Sequence, residues 1–429
     1  MTPLAVLIFG VVLLLAVRAL FSRADRVRET SLTVAVVAIV LIPTFGVRAE
    51  LVITINALLT LVLLISLARG TSAPGVKVSL PAFAVIFAVY LAISESLGSG
   101  IGHIISEWVR LAFFLTLAMA AFADHSAGRS TVFKSLVWLL PIELIITVAE
   151  QRFSWANAWP RGDVGFDDIH RRVNELVPQL AGRSLGTMGH PILLGTFAVI
   201  AFIGCMILYR NTKQKRYLLL LLCVPPIVAL SGTRSAAVAL ILVAAAMFAF
   251  MPGRALLLRI VVALGVGVAV TTVDVLELLG FGGVQQTSSY LHRSGVIGSV
   301  PRLLDRDPMS VMFGSGVASG GELFNSGTMQ GYPGYYFFDN EYVRILAFAG
   351  VIGIVLLAIA LVNGFVRVDA GGKLVLLAMC VFMASYDVMT WDFSYAMVLV
   401  AMTAKWGGSI AVVTIAPDHL VEERGDAAR

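Results

Sequence analysis

The stretch from Pro191 to Ser235 reads PILLGTFAVIAFIGCMILYRNTKQKRYLLLLLCVPPIVALSGTRS, and its alternation of apolar and basic segments decides the fold. Residues 191–209 are apolar, residues 210–216 carry four basic side chains, and residues 217–231 are apolar again. A short turn, Ser231-Gly232-Thr233-Arg234-Ser235, then leads into a third apolar run. An apolar segment of about 20 residues crosses a hydrocarbon core of about 30 Å as a helix. The stretch therefore predicts successive membrane-spanning helices.

The whole chain repeats this pattern. Hydrophobic residues make up 59% of its 429 residues, charged residues only 13%, and the mean hydropathy is +0.91. We predict an all-α, polytopic transmembrane helix bundle of about 12 to 13 spans, forming a single integral membrane domain over residues 1–429. The predicted spans are 3–21, 31–46, 51–68, 79–98, 108–123, 131–149, 191–209, 217–231, 235–251, 260–279, 341–365, 372–388 and 393–411.

The distribution of Lys and Arg predicts the orientation of the helices. Basic clusters, such as the one in 210–216, alternate with loops poor in basic residues, which are 43–50, 95–107 and 387–392. Basic loops are normally cytoplasmic, so we predict a multi-pass protein of the cytoplasmic (inner) membrane with its N-terminus outside. The net charge of +5 reflects this loop bias and does not indicate nucleic-acid binding.

Two long loops, 150–190 and 280–338, are predicted on the extracytoplasmic side, and the second is the larger. Long loops in a compact helical protein are usually functional or disordered, so we expect function there. Residues 167–180 of the first loop are predicted to form a short amphipathic helix. Arg234 lies in a short turn on the same face, where the charge bias disfavours a cation, so it calls for an anionic partner or a packing role.

Several motifs follow one another on this predicted outer face. They are Arg183-Ser184-Leu185-Gly186 before Pro191; Ser231-Gly232-Thr233-Arg234-Ser235; Arg293 followed by Asp307-Pro308 and Gly314-Ser315-Gly316; and Asn340-Glu341-Tyr342 before Gly350-Val351-Ile352-Gly353. In this order the motifs resemble the O-antigen ligase and O-antigen polymerase superfamily. The likeness covers mainly residues 170–353, and it depends on the joint order of the motifs.

The resemblance implies a metal-independent, cofactor-free glycosyltransferase embedded in the membrane. Such an enzyme moves a glycan from an undecaprenyl-diphosphate carrier to an acceptor hydroxyl on the extracytoplasmic face. By the same resemblance, Arg234 and Arg293 match the arginines that bind the carrier diphosphate, and Arg183 is a third candidate. Arginine suits this role because it stays charged and offers planar bidentate donors. Further candidates for substrate binding are Arg302, His292, Tyr342 and Arg344.

The acceptor hydroxyl needs a group that takes its proton. Asp339 occupies the position where the ligase branch has its catalytic histidine, and an acidic residue there is a variant of the polymerase branch. We therefore expect a surface polysaccharide polymerase with Asp339, Asn340 and Glu341 as the candidate catalytic residues. Glu322 and His292 are alternative bases. Asp339 and Asn340 also fit the N-cap of the following helix.

Structural roles compete with these functional ones. Glu341 and Arg344, spaced i,i+3, fit an intrahelical ion pair. Glu95 and Glu143 lie at membrane depth, where a carboxylate is expected to be partnered or to line a wet cavity. Arg344 and Arg110 are expected either to reach the lipid head groups or to line such a cavity.

Other functions stay open from the sequence alone. The runner-up enzyme is an O-antigen ligase that transfers finished glycan to a lipid or protein acceptor. A lipid-linked oligosaccharide flippase or other transporter is the rival from another class, and a non-catalytic envelope scaffold is a further one. The expected partners are the lipid-linked glycan, an acceptor glycan or lipid, the membrane lipids, and a chain-length regulator or flippase.

Overall fold

The computed structural model describes residues 3–23, 26–43, 47, 49–70, 80–123, 131–153, 174, 176–177, 179–180, 182–249, 288–332 and 335–403. Within these ranges all regular secondary structure is helical, as predicted. The predicted span 260–279, the end of 393–411 and most of the predicted loop helix 167–180 lie outside them.

The helices follow the predicted spans closely along the first two thirds of the chain. They are α1 (Pro3–Leu20), α2 (Val27–Leu41), α3 (Ala49–Gly70), α4 (Ala82–Ser96), α5 (Ile101–Ala123), α6 (Thr131–Phe153), α7 (Pro191–Thr212), α8 (Arg216–Leu221), α9 (Val224–Ser231) and α10 (Arg234–Ala249). The described part of the second predicted loop contains four short helices, α11 (Ser288–Gly298), α12 (Val300–Leu304), α13 (Pro308–Phe313) and α14 (Gly320–Asn325). Three helices close the described chain, α15 (Glu341–Arg367), α16 (Ala370–Met383) and α17 (Asp392–Thr403).

In the described part of the chain, five helices are long and apolar enough to cross a membrane, namely α3, α5, α6, α7 and α15. Six shorter apolar segments accompany them, in α1, α4, α8 with α9, α10, α16 and α17. These helices define the chain as a helical membrane protein. The finer prediction of about 12 to 13 spans goes beyond this result.

The centre of the bundle is formed by α7 and α17. Every residue of α17 is buried, and α7 buries fifteen residues, among them Phe197. A helix that is apolar around its whole circumference suits either a protein interior or a membrane span, and here the packing of the neighbouring helices buries α17. Around the centre, α6 and α10 pack on α7, α5 packs on α17, and α4 packs on α15.

The helix α15 is broken at Gly350, where φ is 68° and ψ is −168°. A break inside an apolar helix leaves backbone carbonyls that need other donors. Here the donors come from the second loop and from α4. The carbonyls of Leu346, Ala347, Phe348 and Ala349 accept from the Arg306 guanidinium, the Ser315 and Gly316 amides, and the Tyr90 hydroxyl.

The Gly314-Ser315-Gly316 motif makes this contact possible. A Cβ atom on Gly314 would collide with the Phe348 carbonyl, and one on Gly316 would lie 2.6 Å from the Leu97 carbonyl oxygen. Both glycines have φ above 70°, a region that favours glycine. The motif therefore has a packing role, which is to hold the second loop against α15 and α4.

Candidate functional site

Arg293 and Asp339, two of the predicted site residues, lie beside each other. The Arg293 Nε atom is 3.5 Å from Asp339 Oδ2, and the two side chains are 32% and 16% exposed. Asp339 has φ of +45°, a left-handed conformation that Asp and Asn tolerate better than most residues. Asn340, the next residue, is the N-cap of α15, because its Oδ1 accepts from the Val343 amide at 3.1 Å. The capping role predicted for this pair belongs to Asn340, and Asp339 points instead towards Arg293.

His292 anchors the segment that leads to Asp339. Its Nδ1 accepts from the Tyr332 amide at 3.1 Å, and its Nε2 lies 2.7 Å from the Phe337 carbonyl oxygen. Both ring nitrogens are thus engaged when the ring is neutral with the proton on Nε2. Burial lowers the pKa of His292 below its ordinary value, and the neighbouring Arg293 lowers it further. This geometry makes His292 a positioning residue for the loop.

Glu341 and Arg344 form the predicted i,i+3 ion pair, with 2.9 Å between Oε1 and Nη1. Glu341 is fully buried, and its second oxygen accepts from the Met389 amide at 2.8 Å. Arg344 also pairs with Glu95 of α4 through Nη2, which confirms that the membrane-depth carboxylate Glu95 has a partner. Both Glu341 oxygens are occupied, and Glu341 joins α15 to the segment before α17, while Arg344 joins α15 to α4.

A second buried arginine, Arg110 of α5, closes the same region. Its Nε lies 2.5 Å from Asp392 Oδ1, its Nη1 lies 3.2 Å from Glu107 Oε2, and its Nη2 donates to the Met389 carbonyl at 2.6 Å. The guanidinium also lies over the rings of Phe114 and Tyr395. Each of its three nitrogens therefore has a protein partner.

These ion pairs form the floor of a cavity of about 420 Å³ between the helices and the second loop. The volume lies within the range of about 300 to 1,000 Å³ typical of small-molecule sites. Its charged lining residues are Glu95, Glu107, Arg110, Arg344, Asp387 and Asp392. Its other lining residues include Asn56, His103, Tyr336, Phe337, Phe338, Phe348 and Thr390. Arg110 and Arg344 thus line a cavity, one of the two placements that the sequence left open.

Arg183 is held against the turn that precedes α10. Its Nε donates to the Ser231 carbonyl at 3.0 Å, and its Nη2 donates to Thr233 Oγ1 at 3.1 Å. Arg234 follows this turn as the first residue of α10 and is half-buried. The turn therefore brings the Arg183 side chain to the N-terminal end of α10, where Arg234 begins the helix.

The chain after Arg183 is held in place by two carboxylates of α6. Glu150 Oε2 accepts from the amides of Leu185 at 2.9 Å and Gly186 at 3.1 Å. Glu143 is fully buried and accepts from the amide and the hydroxyl of Thr187. The expectation that Glu143 is partnered is confirmed, and the Arg183-Ser184-Leu185-Gly186 motif owes its position to α6.

A series of side-chain contacts leads from His190, at the start of α7, to the cavity through the segment before α17. The His190 ring, which caps α7 by accepting from the Ile192 amide, lies 4.9 Å from the Trp391 ring, centroid to centroid. The Trp391 indole donates to Asp387 Oδ1 at 3.4 Å. Asp387 in turn experiences the charges of Arg344 and Asp339. From their order on one predicted face we expect Arg234, Arg293 and Asp339 to form one anion-binding pocket, and this expectation stays a prediction.

Two further predicted residues have contacts that stabilise the fold. Arg302 is exposed and donates to the Gly327 carbonyl at 3.0 Å within the second loop. Tyr342 donates to the Cys380 carbonyl at 3.2 Å and so joins α15 to α16. Glu322, named as an alternative base, is exposed on α14.

Sequence reasoning did not select the cavity residues Glu107, Asp387 and Asp392 as site candidates. A signal for them existed, because all three lie at the ends of predicted outer loops that are poor in basic residues. Such loops, 95–107 and 387–392, supply most of the carboxylates of the cavity.

No protein-family model matches this chain, and no curated protein matches it. The fold and the cavity define the class, a helical membrane protein with a polar, charged chamber between its helices. Membership of the O-antigen ligase and polymerase superfamily stays a prediction.

Proposed function

We propose that the protein is a surface polysaccharide polymerase of the cytoplasmic membrane. In this proposal it transfers glycan repeat units from an undecaprenyl-diphosphate carrier to an acceptor sugar hydroxyl on the extracytoplasmic face. The observation that carries the proposal is the Arg293–Asp339 pair, which combines a phosphate-binding group with a proton acceptor just before α15 and directly after Phe338, a residue that lines the cavity.

The reaction assigns a role to each member of this pair. The acceptor hydroxyl attacks the anomeric carbon, the new glycosidic bond forms, and the bond from that carbon to the diphosphate oxygen breaks. The hydroxyl proton passes to the Asp339 carboxylate, and the leaving oxygen keeps the bonding electrons. Arg293 stabilises the charge that develops on the diphosphate, because an arginine can exchange a carboxylate partner for a phosphate oxygen.

The turn before α10 is suited to bind the diphosphate at a second point. Helix N-terminal amides and the helix dipole favour anions, and α10 is a helix of 16 residues. Arg234 at the start of this helix and Arg183 beside the turn add positive charge at the same end. We therefore assign Arg183, Arg234 and Arg293 to the carrier diphosphate, and Asp339 to the acceptor proton.

The two alternatives differ from the proposal in what the protein does with the lipid-linked glycan. A ligase uses the same donor chemistry with a different acceptor, and a flippase moves the lipid without breaking a bond. Both enzyme alternatives need a proton acceptor such as Asp339. Cleavage of the bond between the sugar and the diphosphate is what separates either enzyme from a flippase.

The test is a reconstituted assay with defined undecaprenyl-diphosphate oligosaccharide in proteoliposomes. A ladder of longer lipid-linked glycans from this substrate alone supports the polymerase, transfer only to an added acceptor supports the ligase, and movement without transfer supports the flippase. Arg293→Ala is expected to abolish the ladder. The matched control is Arg367→Ala at the other end of α15, beyond the break at Gly350, where the side chain is exposed.

A further inference from the structure

The two arginines of the cavity are already bound to protein groups. Arg110 donates through all three nitrogens to Asp392, Glu107 and the Met389 carbonyl. Arg344 pairs with Glu95 and Glu341. A diphosphate would have to break buried ion pairs to reach either guanidinium, at a cost of several kcal/mol. The cavity is therefore unsuited to the anionic end of the donor.

The charges of the cavity favour a different kind of ligand. Four described carboxylates line it, Glu95, Glu107, Asp387 and Asp392, and Glu341 lies behind Arg344. Among the described lining residues, the four carboxylates outnumber the two guanidiniums of Arg110 and Arg344. An ionised carboxylate is only an acceptor of hydrogen bonds, so such a lining selects hydroxyl and amino donors and repels acids. In the described part of the chain, no three His, Cys, Asp or Glu side chains converge in the manner of a metal site.

The rim of the cavity adds an aromatic surface. Tyr336 is 63% exposed and Phe337 is 36% exposed, while Phe338 and Phe348 are buried in the wall. Flat apolar faces above a polar floor fit a ring that presents C–H groups on one side and hydroxyl groups at its edge. A sugar ring has this chemistry.

The geometry points to the cavity as the binding site of the acceptor saccharide. We call its selection among sugars by their charge the charge rule. The site takes neutral or amino-bearing sugars and rejects sugars that carry carboxylate or phosphate groups. This inference rests on the proposed function, since it names the second substrate of the same reaction. Asp387 is central to it, because this carboxylate lines the cavity and experiences the charge of Asp339. Among the described residues, Asp387 has no ion-pair contact of the kind that holds Asp392 and Glu95.

The test measures saccharide binding without any lipid donor. The full chain, in nanodiscs of zwitterionic lipid, is titrated by calorimetry with three trisaccharides at about pH 7, because acid would protonate the buried carboxylates. These are neutral tri-N-acetylchitotriose, its cationic deacetylated form, and anionic trigalacturonate. We expect the cationic sugar to bind at least as tightly as the neutral one, and the anionic sugar to bind at least about tenfold more weakly, which corresponds to about 1.4 kcal/mol.

The Asp387→Asn variant tests the assigned residue. It should reduce the preference for the cationic over the anionic sugar by about tenfold, whereas Asp305→Asn, an exposed aspartate outside the cavity, should leave it unchanged. Equal binding of all three sugars, tightest binding of the anionic one, or no binding of any would overturn the inference. An unchanged preference in a folded Asp387→Asn protein would overturn the role of Asp387.

The outcome is separable from that of the proposed function. Loss of the glycan ladder in Arg293→Ala, with unchanged selection of saccharides by charge, supports both the polymerase and the saccharide site. Charge-selective binding without any transfer activity in the wild type retains the cavity as a saccharide site and rejects the polymerase.

Discussion

Replacing Arg344 by methionine should strongly destabilise the protein. The side chain of Arg344 is buried and pairs with two buried carboxylates, Glu95 and Glu341. Methionine fills much of the volume but leaves both carboxylates without their cation. Removing one partner of a buried pair typically costs about 3 to 5 kcal/mol. We expect the free energy of unfolding to fall by about this amount, measured in mixed detergent micelles by tryptophan fluorescence.

A triple variant separates the electrostatic cause from lost packing. Glu95→Gln and Glu341→Gln, added to Arg344→Met, remove both orphaned charges while retaining the shapes of the side chains. Replacing a whole buried ion pair by neutral groups is often close to neutral, so most of the stability should return. An Arg344→Met protein as stable as the wild type would contradict the stabilising role of these buried ion pairs. A triple variant no more stable than the single one would contradict the electrostatic explanation.

Two other predictions follow from the second loop and its contact with α15. Gly350 has a backbone conformation that is essentially restricted to glycine, so Gly350→Ala should lower the free energy of unfolding by at least about 1 to 3 kcal/mol. The control is Gly102→Ala, in an open helical position of α5, which should not lower the free energy of unfolding. His292 has a pKa below its ordinary value of about 6.5, so the folded loop binds fewer protons than the unfolded one in acid. The loop should therefore be fully stable above about pH 6.5 and lose stability as the pH falls through the pKa of the folded state. Proteolysis of the loop at several pH values can follow this loss. In His292→Phe the loss that depends on His292 should disappear, and an unchanged pH profile in that variant would contradict the assignment.

The helical fold was predictable because its signal is local. Long apolar runs such as 191–209 predict helices at nearly the observed bounds, and the Glu341–Arg344 pair follows from its i,i+3 spacing. The four short helices of the second loop were not predicted, since helices of five to eleven residues give too little periodicity.

The cavity could not be predicted for a different reason. Its floor depends on pairs that are far apart in sequence, Arg344 with Glu95 and Arg110 with Asp392. Periodicity and charge counts describe each helix separately, and they do not determine which faces meet. The break at Gly350 is also tertiary in origin, because it persists only where Arg306, Tyr90 and the Gly314-Ser315-Gly316 segment supply donors to the freed carbonyls.

Arg293 and Asp339 are proposed to form one reaction site for glycan transfer. The most direct measurement compares wild type, Asp339→Asn and Arg367→Ala in the reconstituted transfer assay, with equal amounts of folded protein. Asparagine tolerates the left-handed backbone conformation of Asp339 but cannot accept the proton. We expect ladder formation in the wild type and in Arg367→Ala, and a loss of at least about a hundredfold in rate in Asp339→Asn. Full activity in Asp339→Asn would contradict the account.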